Sequence, residues 1–153
     1  MMDFENTASE LIKRAYLLAR EAHEGQYDHS GKPYILHPME VASRVGCDET
    51  AIAVALLHDV VEDTDVSIDK IKKDFPKKIA DAVALMTHFG NESYMDYVRR
   101  IKANELARRV KIADISHNIE IIRCNPIRKR DVERIKNKYI PALEYLIDDE
   151  FTM

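Results

Sequence analysis

The chain contains no tryptophan, and only four glycines and two cysteines among 153 residues. Each scarcity excludes something. With so few glycines and no long apolar–polar alternation, the turns and strands of a β protein have little to be built from. Cys47 and Cys124 stand in no CxxC or Cys/His cluster. That sets aside a disulfide scaffold or a thiolate metal site, and two free thiols in a reducing compartment are expected. No apolar run approaches the ~20 residues that a membrane helix needs. The opening Met1-Met2-Asp3-Phe4-Glu5 lacks the basic start and apolar centre of a secretory signal, so a cytoplasmic location is expected. Positive charge is not in excess either: 23 Lys and Arg face 27 Asp and Glu, for a net charge of −4. Non-specific nucleic-acid binding needs a concentrated positive surface and is not expected, although a local basic pocket for a small phosphorylated ligand is allowed. Oligomeric state leaves no signature.

What the chain does have is helical periodicity. Its length suits one domain with a real core, expected to span 1–153. Thr7-Ala8-Ser9-Glu10 reads as a capping box, opening a helix that should end near Gly25. Residues 25–36 read as a polar loop. Pro38 suits the first turn of a second helix, which puts His37 at the cap. Asp48 can cap a third helix from Glu49 to about Asp63, and its centre, Ala51 to Leu57, is apolar all round, as in a buried central helix. Ser67 is read as starting a short helix to about Asp74, and Pro76 another to about Thr87. Residues 93–102 look helical. Asn104 can cap a long helix from Glu105 to about Arg123, which Asn125-Pro126 breaks. A last stretch runs from about Lys129 to Asp148, with Pro141 kinking or splitting it. The fold class expected is all-α, a bundle of about seven to nine helices.

The chemistry concentrates in Leu57-His58-Asp59-Val60-Val61-Glu62-Asp63-Thr64. Residues three and four apart share a helix face, so an imidazole and up to three carboxylates lie on one stripe of an apolar helix. Buried charges need partners or a metal, and a divalent cation is the obvious compensation. Two more segments offer ligands: His37, and Asp114 within Val110-Lys111-Ile112-Ala113-Asp114-Ile115-Ser116-His117-Asn118. Two imidazoles and two carboxylates suit Mn²⁺, Zn²⁺ or Fe²⁺ better than Mg²⁺ or Ca²⁺. Such an ion lowers the pKa of its water from 15.7 toward ~7. Glu62 and Asp63, one turn on, can orient or deprotonate that water. Lys111 and Asn118 can share a face with Asp114, the one to offset phosphate charge, the other to fix a ribose or phosphate oxygen. His117 can reach the site but reads more simply as a core histidine, and Tyr34 can stack on a base or close the core.

The order His37, His58-Asp59, Asp114 resembles the HD-domain metal-dependent phosphohydrolases. Ala22-His23-Glu24-Gly25-Gln26, then Ser30 to Pro38, Leu57 to Thr64, and Lys111 to Asn118 resemble more closely the hydrolase domain of RelA/SpoT-type enzymes and the small alarmone hydrolases. The resemblance spans roughly residues 8–123. It implies an all-helical HD fold and one divalent metal, most commonly Mn²⁺. It also implies removal of the 3′-pyrophosphate from guanosine penta- or tetraphosphate. By motif position His37, His58, Asp59 and Asp114 are the ligands, Glu62 and Asp63 the water-activating pair, and Asn118 a nucleotide contact. Ser30 and His29 occupy the family's substrate-recognition loop. There the chain departs: the usual Arg-Lys pair is Asp28-His29, and a small polar position three after Asn118 is Ile121.

The expectation is thus a phosphohydrolase of a small nucleotide. The departures at Asp28-His29 keep a second reading open, an HD hydrolase of another nucleotide or small phosphoester. A third is a non-catalytic, metal-bound nucleotide sensor, against which the retained Glu62-Asp63 pair counts.

Overall fold

Helices begin where the chain supplies a side-chain oxygen to an otherwise unpaired N–H. In this computed structural model, which describes residues 2–124 and 126–148, Ser9 accepts from the Ile12 N–H and opens α1 (Glu10–Ala22). The cap therefore lies two residues beyond the Thr7 that a capping box requires. The chain leaves α1 through Gly25, whose φ of 82° favours a residue without Cβ. Asp48 caps α3 (Glu49–Leu57), Ser67 caps α5 (Ile68–Asp74) and Ser93 caps α7 (Tyr94–Lys102). Asn104 Oδ1 accepts from the Ala107 N–H at 2.9 Å at the head of α8 (Glu105–Cys124). Pro76 precedes α6 (Lys77–Leu85), which stops two residues short of the expected Thr87. The expected break at Asn125 lies outside the described residues.

Three boundaries differ from the sequence expectation in ways that matter. The second helix, α2, spans Leu36–Ser43 with Ile35 at its cap, so His37 sits inside the first turn and faces inward. The third helix does not run to Asp63. It ends at Leu57, turns through His58-Asp59, and resumes as α4 (Val60–Asp63). At the break, His58 Nδ1 lies 2.6 Å from the Ala55 carbonyl, which a continuous helix would offer to the Asp59 N–H. In the last stretch, α9 (Lys129–Arg134) passes through a π-helical turn at 135–139 into α10 (Ile140–Ile147). Pro141 brings no N–H and crowds the carbonyl of the preceding turn. The wider π turn takes up that mismatch without splitting the helix.

α3 is the axis of the fold. All of Ala51 to Leu57 is buried, and the helix packs against α1, α2, α6 and α8. The three alanines keep its girth small where four neighbours converge. α10 closes the far side against α7 and α8. Among the described residues there is no strand, only an isolated bridge between Tyr27 and Pro33. No helix among them is long and apolar enough to cross a membrane. The architecture is an all-α bundle built around α3. Cys47 and Cys124 are free and exposed.

Candidate metal centre

The four candidate ligands come from three elements: His37 from α2, His58 and Asp59 from the break after α3, and Asp114 from the middle of α8. The structure brings them together. His37 Nε2 lies 2.8 Å from Asp114 Oδ1 and 3.8 Å from Asp59 Oδ2. His58 Nε2 lies 3.1 Å from Asp59 Oδ2 and 3.4 Å from Asp114 Oδ1. Ligand atoms of His37, His58 and Asp59 fall within 4.8 Å of one another. Because His58 Nδ1 gives its proton to the Ala55 carbonyl, Nε2 is the nitrogen left to take a second proton or a cation. That atom is fully buried with no hydrogen-bond partner. Facing two carboxylates as a bare lone pair would be costly, so this nitrogen needs a positive partner, a proton or a metal ion. A divalent cation between them satisfies all three groups, so this donor set of two nitrogens and two carboxylates fits one.

The charge balance points the same way. Burial alone drives His58 toward neutrality, but Asp59 and then Asp114 outweigh it and hold the imidazole protonated well above its ordinary range. Burial likewise pushes Asp59 and Asp114 up. The His58 imidazole overcomes this for Asp59, and the Lys111 ammonium, followed by His37 and His58, for Asp114, so both stay ionised. Protons and an ammonium thus supply the positive charge that the carboxylates demand, and a metal displaces such protons when it binds.

Around the ligands, each group is held by another. Tyr34 Oη donates to Asp59 Oδ2 at 2.6 Å. Lys111 Nζ donates to Asp114 Oδ2 at 2.8 Å, and Asn118 Nδ2 to Asp114 Oδ1 at 3.3 Å. His37 Nδ1 lies 2.8 Å from His117 Nδ1, with the two rings nearly parallel. If His37 presents Nε2 to a cation, its Nδ1 carries the proton and His117 accepts it. Burial, followed by the His37 charge, lowers the His117 pKa, consistent with an acceptor. A second cluster, Asp59, Glu62 and Asp63, also has ligand atoms within 4.8 Å of one another. Asp63 is pushed up to about 6 by partial desolvation and then by the Asp59 and Glu62 charges. Glu62 Oε1 accepts from the His88 N–H at 2.6 Å, so the loop after α6 fixes it.

The candidate substrate contacts divide. A cavity of about 440 Å³ opens beside His37 and is lined by Asp28, Ser30, Lys32, His117 and Ile121, among others. Ser30 reaches it, although its hydroxyl donates to Asp28 Oδ1. That oxygen also accepts from the Ser30 and Lys32 N–H groups, so Asp28 organises the turn. His29 is exposed on that turn. Asn118 is half-buried against Asp114. Lys111 is 8% exposed, under Asp114 and over the Tyr97 and Tyr94 rings at 5.0 and 5.9 Å. That places it behind the carboxylate, as its buried counter-ion. Sequence reasoning left Tyr34 and His117 without a role. The one available signal was the placement of His117 three residues after Asp114, on the same face of α8.

A family model described as "HD domain" matches residues 15–134. A guanosine-3′,5′-bis(diphosphate) 3′-pyrophosphohydrolase of Aquifex aeolicus is 35% identical over 123 residues, covering 75% of this chain and 18% of that protein. The bifunctional (p)ppGpp synthase/hydrolase SpoT of Escherichia coli is 33% identical over 138 residues, covering 80% of this chain and 20% of that protein. The chain thus spans about one fifth of the length of these curated relatives. A solved structure of a metazoan ortholog of SpoT that hydrolyses ppGpp superposes with a TM-score of 0.71 at 21% identity, covering 92% of this chain and 96% of that one, and has the same fold.

Proposed function

The chain belongs to the HD-domain family, and we propose that it is a metal-dependent phosphohydrolase that removes the 3′-pyrophosphate of guanosine-3′,5′-bis(diphosphate). The observation that carries the metal reading is the buried, unpartnered His58 Nε2 facing the Asp59 and Asp114 carboxylates. The named relatives support the substrate. His37, His58, Asp59 and Asp114 would hold one divalent cation, with Mn²⁺ the proposed ion. When bound, the cation supplies Lewis-acid charge to a phosphate oxygen and acidifies water at neutral pH. The chain's own groups do the rest. Asp63, beside Asp59 at the rim, takes the proton of the attacking water. Glu62, fixed by the His88 N–H, orients that water. Asn118, beside Asp114, bonds the nucleotide. Water adds at the phosphorus bonded to the ribose 3′ oxygen, that P–O bond breaks, the 3′ oxygen takes up the proton that Asp63 removed from the water, and GDP and pyrophosphate leave.

A second reading has its own observation. Asp28, not a cation, sits in the cavity wall next to His37, which favours a less highly charged nucleotide or phosphoester. One experiment separates the two. Purified protein is incubated with Mn²⁺ and ppGpp, with Asp59→Ala as control, and the products are resolved. GDP and pyrophosphate from the wild type alone support the alarmone reading. Intact ppGpp from a metal-loaded sample that cleaves other nucleotides moves the assignment to the second.

A further inference from the structure

We infer that Tyr34 is a positioning residue that ties the wall of the substrate cavity to the metal ligand Asp59. The inference rests on the metal reading of the site but not on the identity of the substrate. Tyr34 closes the turn whose Asp28, Ser30 and Lys32 line the cavity. Its hydroxyl donates to Asp59 Oδ2 at 2.6 Å, and this is the oxygen that faces His58 Nε2 at 3.1 Å and His37 Nε2 at 3.8 Å. Tyr34 therefore holds the carboxylate by the oxygen that looks into the candidate centre.

The turn is bolted at both ends. The Tyr34 ring lies between His23 and His37, with centroids 5.0 and 5.8 Å away. His23 is 2% exposed, and its Nδ1 lies 2.9 Å from Gln26 Oε1. Gln26 Nε2 then donates to the Asp63 carbonyl at 2.9 Å, and the Tyr34 N–H donates to the Gln26 carbonyl at 2.9 Å. The turn from Gln26 to Tyr34 thus grips α4 at Asp59, before its first residue, and at Asp63, its last. Asp59 cannot rotate without moving the turn, and the turn cannot shift without releasing Asp59. A group that orients a ligand from outside the coordination shell is worth about 10–100-fold in metal affinity. Because the coupling is reciprocal, a cation on Asp59 also steadies the cavity wall.

Tyr34→Phe keeps the ring between the two imidazoles and removes only the hydroxyl. The test uses Mn²⁺ alone, titrated by calorimetry into metal-free wild type and variant, with amide exchange of residues 26–35 followed with and without the ion. The expected result is a Kd about 10–100-fold weaker in the variant. Mn²⁺ protects the turn in the wild type and fails to do so in the variant, and the metal-free melting temperatures agree within about 4 °C. A merely structural tyrosine lowers the metal-free melting temperature and leaves Kd unchanged. Equal Mn²⁺ affinity in the two proteins, or turn protection that survives in Tyr34→Phe, overturns the inference, as does a wild type that binds no Mn²⁺. Substrate enters none of these readouts, so a protein that behaves as expected here but leaves ppGpp intact sinks the alarmone reading and keeps this one.

Discussion

Replacing Lys111 with Met should cost the metal-free protein far more than the metal-loaded one. Lys111 and Asp114 are 8% and 4% exposed and share a 2.8 Å hydrogen bond. Methionine fills similar volume beneath Tyr94 and Tyr97 but leaves Asp114 without its ammonium. Breaking a buried ion pair from one side costs about 3–5 kcal/mol. For a chain of this length that lowers the melting temperature by about 10–15 °C. A divalent cation changes the balance, because it gives Asp114 a positive partner on the other carboxylate oxygen. It also suffers from Lys111: a double and a unit charge about 5 Å apart repel by several kcal/mol at an effective dielectric of about 20. The variant should therefore bind Mn²⁺ more tightly than the wild type, and saturating Mn²⁺ should recover more than half of the lost melting temperature. Thermal melts with and without Mn²⁺, together with a Mn²⁺ titration, measure both effects. A deficit that stays the same with and without the ion refutes the reasoning, because Asp114 would then not be shared between Lys111 and the cation.

Two further outcomes are expected. Leu56→Ala, at a fully buried position on α3, should destabilise by about 2–5 kcal/mol in urea unfolding and leave Mn²⁺ affinity unchanged in the folded protein; a smaller loss would mean that α3 is not the packed axis. Asp28→Asn keeps the Oδ1 acceptor used by Ser30 and Lys32 but removes a negative charge from the cavity wall. It should lower the KM for ppGpp about threefold at unchanged kcat, on the order of 0.5 kcal/mol for a solvent-screened charge; an unchanged KM would show that the phosphates pass elsewhere.

Much of this was legible because the signals are local. Asp48, Ser67 and Asn104 cap helices just where they precede apolar periodicity. The candidate ligands stand in short blocks whose residue types alone limit the chemistry. What was not legible is contact across the chain. Tyr34 meets Asp59 over 25 positions and His37 meets His117 over 80, and neither pairing leaves a periodic trace. Lys111 was readable as a neighbour of Asp114 but not as buried, since an exposed and a buried lysine have the same spacing. The π turn before Pro141 was unreadable for another reason. A proline signals a mismatch in the backbone ladder, but whether the chain resolves it by breaking or by widening depends on what α10 packs against.

The break after Leu57 is the feature on which the site depends. On an uninterrupted helix, neighbouring side chains point about 100° apart, so His58 and Asp59 could not both face His37 and Asp114. One of the pair would be left in the core of α3 without a partner. The turn relieves this. His58 anchors its Nδ1 on the Ala55 carbonyl and keeps Nε2 inward. Asp59 leaves the helical path at φ −100° and ψ −3°, which brings its Oδ2 to 3.1 Å from His58 Nε2. Restarting at Val60, α4 then carries Glu62 and Asp63 to the rim on the same side as Asp59. The apolar run that makes α3 the core also makes its end the place where charge is hardest to bury. Two adjacent polar residues can sit there only because the backbone turns between them, the Tyr34 hydroxyl and the other imidazole meet them, and a proton or a cation on His58 Nε2 bridges to the carboxylates.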